Sequence, residues 1–137
     1  MTGLEATDGA AERARVLIVD DTPENIQVLM AILCNDYLII AARNGAKGLQ
    51  LAASDPMPDL ILLDIRMPGM DGYEVCQRLK SDPKTREIPV IFVTTMTAEE
   101  DVRKGLQLGA VDYITKPYSP SLLKARIRAH LEMTSGS

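Results

Sequence analysis

Histidine, cysteine, cationic excess and long apolar runs are what this 137-residue sequence is short of. Two cysteines are too few to staple a small secreted scaffold. Cys34 and Cys76 both sit in apolar helical patterns and are expected as buried, reduced thiols. A net charge of −4 gives no basic footprint for direct nucleic-acid binding. No apolar run approaches the roughly 18–20 residues that span a bilayer. The opening MTGLEATDGAAERAR lacks the basic-then-apolar order of a signal peptide. The expectation is a cytoplasmic chain without a membrane partner. What is present, 46% hydrophobic and 25% charged residues, is the balance of an ordinary globular protein one domain long.

Within that ordinary composition one stretch stands out, Pro58–Gly72, PDLILLDIRMPGMDG. Leu60–Leu63 is a continuous apolar run bounded by turn residues, which reads as a strand buried on both faces of a parallel sheet. It ends in Asp64, a carboxylate at the carboxyl end of a buried strand, where open parallel sheets place their ligand sites. Pro68, Gly69 and Gly72 then turn the chain sharply.

The same grammar repeats along the chain. Arg15–Val19 reads as a strand ending in Asp20-Asp21, and Thr22-Pro23 as a helix cap with proline in the first helical position, opening a helix over 23–35. Tyr37–Ala42 is a second strand, Asn44-Gly45 a turn, and Ala46–Ala53 a small helix. After the third strand, Asp71 and Glu74 form a capping box for a helix striped with Tyr73, Cys76 and Leu79. Val90–Val93 is a fourth strand ending in Thr94-Thr95. Thr97 and Glu100 suggest another capping box, and Gly109 a left-handed helix stop. Tyr113–Thr115 is a short fifth strand before Lys116-Pro117. Ser119-Pro120 opens a last helix carrying Leu123, Ile127 and Leu131. Residues 1–13 read as a flexible leader and 133–137 as a frayed tail. Strict alternation of five strands and five helices predicts an α/β domain with a parallel sheet and helices on both faces.

Four strand ends therefore converge on one sheet edge, carrying Asp20, Asp21, Asp64, Thr94 and Lys116. Three carboxylates so gathered repel one another unless a cation intervenes. Oxygen-only ligands, with no histidine or cysteine near the strand ends, favour Mg²⁺ over zinc. A carboxylate, a divalent cation, an ammonium and a hydroxyl together suit phosphoryl transfer to an aspartate.

VDD at Val19–Asp21, LLDIRMPGMDG at Leu62–Gly72, VTT at Val93–Thr95 and YITKP at Tyr113–Pro117 together resemble the receiver domain of bacterial two-component response regulators. The resemblance covers residues 14–132. It implies a flavodoxin-like (βα)5 three-layer sandwich with strand order 2-1-3-4-5, of the chemotaxis-regulator kind. It implies that Asp64 accepts a phosphoryl group from a partner histidine kinase or phosphotransfer protein, with Mg²⁺ bound. Asp21 would ligate the metal directly, Asp20 through water, and Asp64 and the backbone carbonyl of Arg66 would complete the set. Lys116 would contact the phosphoryl group, and its bond to Pro117 is expected to be cis. Thr94 and Tyr113 would be the switch pair that relays the change to the face made by helix 4, strand 5 and helix 5.

That reading makes the chain a phosphoryl-accepting switch, assisting only its own phosphorylation and slow dephosphorylation rather than turning over a metabolite. The alternative is a receiver-like protein-binding module working without phosphorylation. An aspartate-nucleophile phosphatase fits less well, because such enzymes resemble a DxD arrangement after the first strand. Flavin or nucleotide binding lacks a phosphate cradle in the loop after strand one. Thr95 departs from the small residue usual after the switch hydroxyl. With Arg66 and Met96 it flanks the entrance, where all three are expected to influence phosphoryl lifetime. His130, beside Lys124, Arg126 and Arg128, reads as part of a solvated basic face. Helix 4 opens acidic with Glu99, Glu100 and Asp101, so a homodimer through the helix 4–strand 5–helix 5 face is an expectation from charge complementarity. RIRAHLE at Arg126–Glu132 resembles helix ends that lead into an output domain, which leaves a stand-alone receiver and a piece of a longer protein both open.

Overall fold

A computed structural model describes residues 13–135 of the chain; of the expected leader over 1–13, all but residue 13 lies outside the described residues. The elements alternate as β1 (Arg15–Val19), α1 (Pro23–Leu33), β2 (Leu38–Ala42), α2 (Gly45–Ala52), β3 (Leu60–Leu63), α3 (Gly72–Ser81), β4 (Val90–Thr94), α4 (Glu99–Gln107), β5 (Asp112–Thr115) and α5 (Pro120–Ser135). All strands are parallel in one sheet of order β2-β1-β3-β4-β5, the flavodoxin-like arrangement. Helix α5 runs on to Ser135, into the stretch read as a tail, and residues 136–137 lie outside the described residues.

Alternation along the strands divides the core into two layers. Leu17, Val19, Ile61, Leu63, Val90 and Phe92 face a layer that includes Ala52 of α2 and Val75, Cys76 and Leu79 of α3. Val16, Ile18, Leu60, Leu62, Ile91 and Val93 face Ile26, Leu29 and Leu33 of α1 and Leu123 and Ile127 of α5. Strands β3 and β4 are buried at every position, which is why β3 and Val90–Val93 of β4 are unbroken apolar runs. Each such Leu or Ile contributes about 1.5–3 kcal/mol of transfer free energy. No helix among the described residues is long and apolar enough to cross a membrane.

Helix ends follow local chemistry, with two corrections. Asp71 accepts from the Glu74 amide at 2.9 Å and Ser119 from the Leu122 amide at 3.0 Å, and Gly109 stops α4 at φ +112°. Thr22 occupies the cap of α1, but its hydroxyl does not cap; its amide instead donates to Asp20 Oδ1 at 3.0 Å. Thr97 does not cap α4 either. The cap position is Ala98, which has no side-chain cap bond, because the loop before it is organised by contacts to Met96. Of the two free cysteines, Cys76 is buried and burial pushes its thiol up to about 11, whereas Cys34, at the exposed end of α1, is not the buried thiol expected.

Candidate functional site

Sheet register sets the site. Val19 of β1 pairs with Leu63 of β3, so the next residues, Asp20 and Asp64, emerge side by side. The Asp64 amide donates to the Val19 carbonyl at 3.0 Å and the Asp20 amide to the Ala42 carbonyl at 3.1 Å, fixing both backbones as extensions of the ladder. Asp20, Asp21 and Asp64 each offer a carboxylate oxygen within 4.8 Å of the others. Asp20 and Asp64 are buried, at 2% and 8% exposure.

Lys116 comes from the far side of the sheet. Its amide donates to the Thr94 carbonyl at 2.8 Å, and its bond to Pro117 is cis. Its Nζ lies 3.4 Å from Asp20 Oδ2 and 3.8 Å from Asp64 Oδ2. Thr94 is fully buried at the end of β4, where its hydroxyl interacts with Asp64 and accepts from the Met96 amide at 3.3 Å. Burial pushes the Asp64 carboxyl above the usual carboxylate range; Lys116 pulls it down, Asp20 pushes it up, and bonds from the Ile65 amide and Thr94 pull it down. The Ile65 amide holds Oδ1 at 2.8 Å. Oδ2 is therefore the oxygen turned toward the ammonium.

The structure thus gathers Asp20, Asp21, Asp64, Thr94 and Lys116 at one edge. Arg66 stands exposed in the loop two residues beyond Asp64, followed by the buried Met67. Tyr113 of β5 packs its ring against Phe92, centroids 5.9 Å apart, and its hydroxyl donates to the Met96 carbonyl at 2.8 Å. The donor set is three carboxylates with oxygens within 4.8 Å of one another, an excess of negative charge that fits Mg²⁺ by its chemistry.

A second cluster was not visible in the sequence. Asp112, the first residue of β5, accepts from Arg126 Nη1 at 2.7 Å and lies 3.0 Å from His130 Nε2, both on α5. His130 is therefore paired beneath α5 rather than solvated, as the sequence suggested. Burial works against Asp112 ionising, but Arg126, His130 and the Tyr113 amide outweigh it and hold its carboxyl below the ordinary range. A depressed folded-state pKa contributes stability that is present above the unfolded value, about 4, and lost as pH falls through the folded one. Asp112→Asn should therefore cost about 1–2 kcal/mol at pH 7. The difference should vanish in acid below the folded pKa; urea denaturation at several pH values reads it, and a deficit that persists in acid would assign the loss to packing.

The family model for the response regulator receiver domain matches residues 16–128. The chain belongs to that family. Over 117 residues it is 50% identical to a probable cyclic di-GMP phosphodiesterase of Vibrio cholerae serotype O1, covering 85% of this chain and 26% of that protein. It thus spans about a quarter of that relative's length. Protein PilH of Pseudomonas aeruginosa is 42% identical over 119 residues, 86% of this chain and 98% of PilH. Among solved structures, the signal receiver domain of a signal transduction histidine kinase from Syntrophus aciditrophicus superposes with a TM-score of 0.79. It is 38% identical and covers 87% of this chain and 90% of that one. Receiver domains are signalling switches that interact with histidine kinases or phosphotransfer proteins and with output domains, and they typically bind Mg²⁺ at an aspartate cluster.

Proposed function

We propose that this receiver works by phosphorylation of Asp64. The observation that carries the reading is the convergence of three carboxylates within 4.8 Å, with one ammonium facing two of them. The donor is a phosphohistidine on a partner histidine kinase or phosphotransfer protein. Asp64 Oδ2, left available by the amide on Oδ1, attacks phosphorus. An O–P bond forms as the N–P bond breaks, and the electron pair leaves with the imidazole. Asp20, Asp21, Asp64 and the Arg66 carbonyl would hold Mg²⁺, which supplies positive charge against the transferring phosphoryl oxygens. Lys116 places its ammonium against the same oxygens. Water later cleaves the acyl phosphate, returning the carboxylate and inorganic phosphate.

The new group carries roughly −1.5 to −2 charge, assuming ionisation like that of other phosphorylated side chains. Thr94 donates its hydroxyl to a phosphoryl oxygen, and Tyr113 occupies the space beneath the β4–α4 loop. Thr94 interacts with Asp64 and Tyr113 packs against Phe92; phosphorylation would draw Thr94 onto the phosphoryl group and let Tyr113 fill the space it leaves. The readout is the α4–β5–α5 face, and the working compartment is the cytoplasm. Two of the cations expected to attract a second copy to that face meet partners within the chain, Lys124 with Asp36 and Arg126 with Asp112. A homodimer through this face therefore rests on its exposed apolar residues, Leu106, Val111 and Leu122. A mass that stays monomeric with rising concentration in the phosphorylated state would rule it out.

Incubation with acetyl phosphate and Mg²⁺ should give one phosphoryl adduct by intact mass, and chelation should prevent it. No adduct under conditions that modify a control receiver favours the phosphorylation-independent binding module.

A further inference from the structure

Tyr73, in the first turn of α3, carries a hydroxyl that the switch pair does not account for. That hydroxyl donates to the Asp101 carbonyl in the first turn of α4 at 3.1 Å. Its ring meets Phe92 edge-on, centroids 5.7 Å apart at 67°, and Tyr113 contacts the same Phe92 ring at 5.9 Å. Lys104 of α4 lies over the Tyr73 ring, Nζ 4.4 Å from the centroid. The two phenols also interact directly, each perturbing the other's ionisation. Two tyrosines from different elements therefore fasten adjacent segments: Tyr113 holds the Met96 carbonyl just before α4, and Tyr73 holds Asp101 inside it.

The start of α3 is also tied to the acceptor aspartate. Asp71 caps the helix, the Gly72 amide donates to the Ile65 carbonyl at 2.8 Å, and Gly72 packs against the Asp64 backbone so closely that a methyl there would overlap its carbonyl oxygen. One peptide unit separates this contact from Tyr73.

We propose that Tyr73 is a second positioning residue of the switch, which couples the backbone of Asp64 to α4 through α3. The Thr94–Tyr113 pair and the Gly72–Tyr73 step are then two mechanical connections from one carboxylate to one helix. The inference rests on the phosphorylation reading for its functional meaning, but its structural claim is testable in the unmodified protein.

Tyr73→Phe keeps the ring, the Phe92 contact and the Lys104 contact, and removes the hydroxyl with its bond to Asp101 and its interaction with Tyr113. Amide hydrogen exchange in residues 99–105 of the unphosphorylated variant should accelerate about 5–10-fold, as expected for one lost tertiary hydrogen bond, while β1 and β3 amides stay unchanged. With acetyl phosphate and Mg²⁺ the adduct should form several-fold more slowly. Tyr73→Leu, which also deletes the ring, should by contrast speed exchange across α3 and β4 as well. Unchanged exchange in α4 of Tyr73→Phe, or equal acceleration throughout the sheet, overturns the proposal. Absence of any adduct in the wild-type protein would instead overturn the phosphorylation reading and leave the α4 exchange result standing.

Discussion

Asp64→Asn should abolish the phosphoryl adduct and, without Mg²⁺, make the protein more stable at neutral pH by about 1 kcal/mol. The amide removes the nucleophilic oxygen outright, so the loss of reaction is complete rather than graded. The gain in stability comes from electrostatics. Burial opposes ionisation of Asp64 most strongly, Lys116 favours it and Asp20 opposes it. At an effective dielectric near 20 each charge pair is worth up to about 4 kcal/mol at contact, and the net is their small difference. A folded-state pKa raised above the unfolded one means that the ionised group costs stability as pH rises past the unfolded value, with the full cost reached above the folded one. Asparagine removes that cost. Its advantage is therefore greatest at neutral pH and disappears below the unfolded carboxylate pKa, about 4. If the cluster holds Mg²⁺ as proposed, the cation should reverse the ranking, because it would stabilise the wild-type carboxylates while the variant offers one fewer anion. Urea denaturation at pH 7 and in acid, with and without Mg²⁺, measures all three parts. An asparagine variant less stable than wild type at pH 7 without Mg²⁺ would show that Asp64 is held by structural bonds instead.

The edge of the sheet was legible because its sequence signal is abrupt. Unbroken apolar strands need burial on both faces, and each such run stops at a group that burial would penalise: Asp20, Asp64, Thr94. Topology then does the rest, since parallel strands bring their carboxyl ends to one side whatever their separation in sequence. Local hydrogen bonding was less legible. Thr22 and Thr97 have the residue type of a cap, but Asp20 claims the Thr22 amide, and the loop before α4 is shaped by Tyr113 and Thr94 meeting at Met96. Asp20 lies on the N-terminal side of Thr22, outside the helix a cap would serve, and Tyr113 lies 17 residues beyond Met96, outside any capping pattern. His130 read as solvated because its neighbours on α5 are basic; the carboxylate it meets, Asp112, is 18 residues upstream on β5. The hydroxyl of Tyr73 was hidden in the same way. A tyrosine in an apolar stripe registers as core, and only the packing of α3 against α4 shows that its polar end reaches a carbonyl 28 residues on.

Gly72→Ala should be the most damaging single methyl in the domain. A Cβ at that position would overlap the Asp64 carbonyl oxygen and lie 2.7 Å from Ile65 Cα, both backbone atoms with no rotamer by which to yield. Neither side can easily retreat. The Asp64 amide is fixed to Val19 of β1, and the Gly72 amide to the Ile65 carbonyl, while Asp71 anchors the start of α3. Either α3 backs away from the sheet or the peptide after Asp64 rotates, and each displaces the carboxylate. The expected cost is about 2–4 kcal/mol in stability, with a fall of roughly 10²-fold in the rate of acetyl phosphate modification from a misplaced nucleophile. Gly69 is the discriminating comparison. It lies three residues earlier in the same turn at φ +77°, and a methyl added there would meet nothing within 4 Å. Gly69→Ala therefore carries only the left-handed conformational penalty, about 1–2 kcal/mol, and leaves the reaction rate near wild type. Urea denaturation and adduct formation measured on both variants separate the two causes. Equal losses of rate at the two positions would mean that the conformation of the turn, and not the close approach of α3, aims Asp64 at its donor.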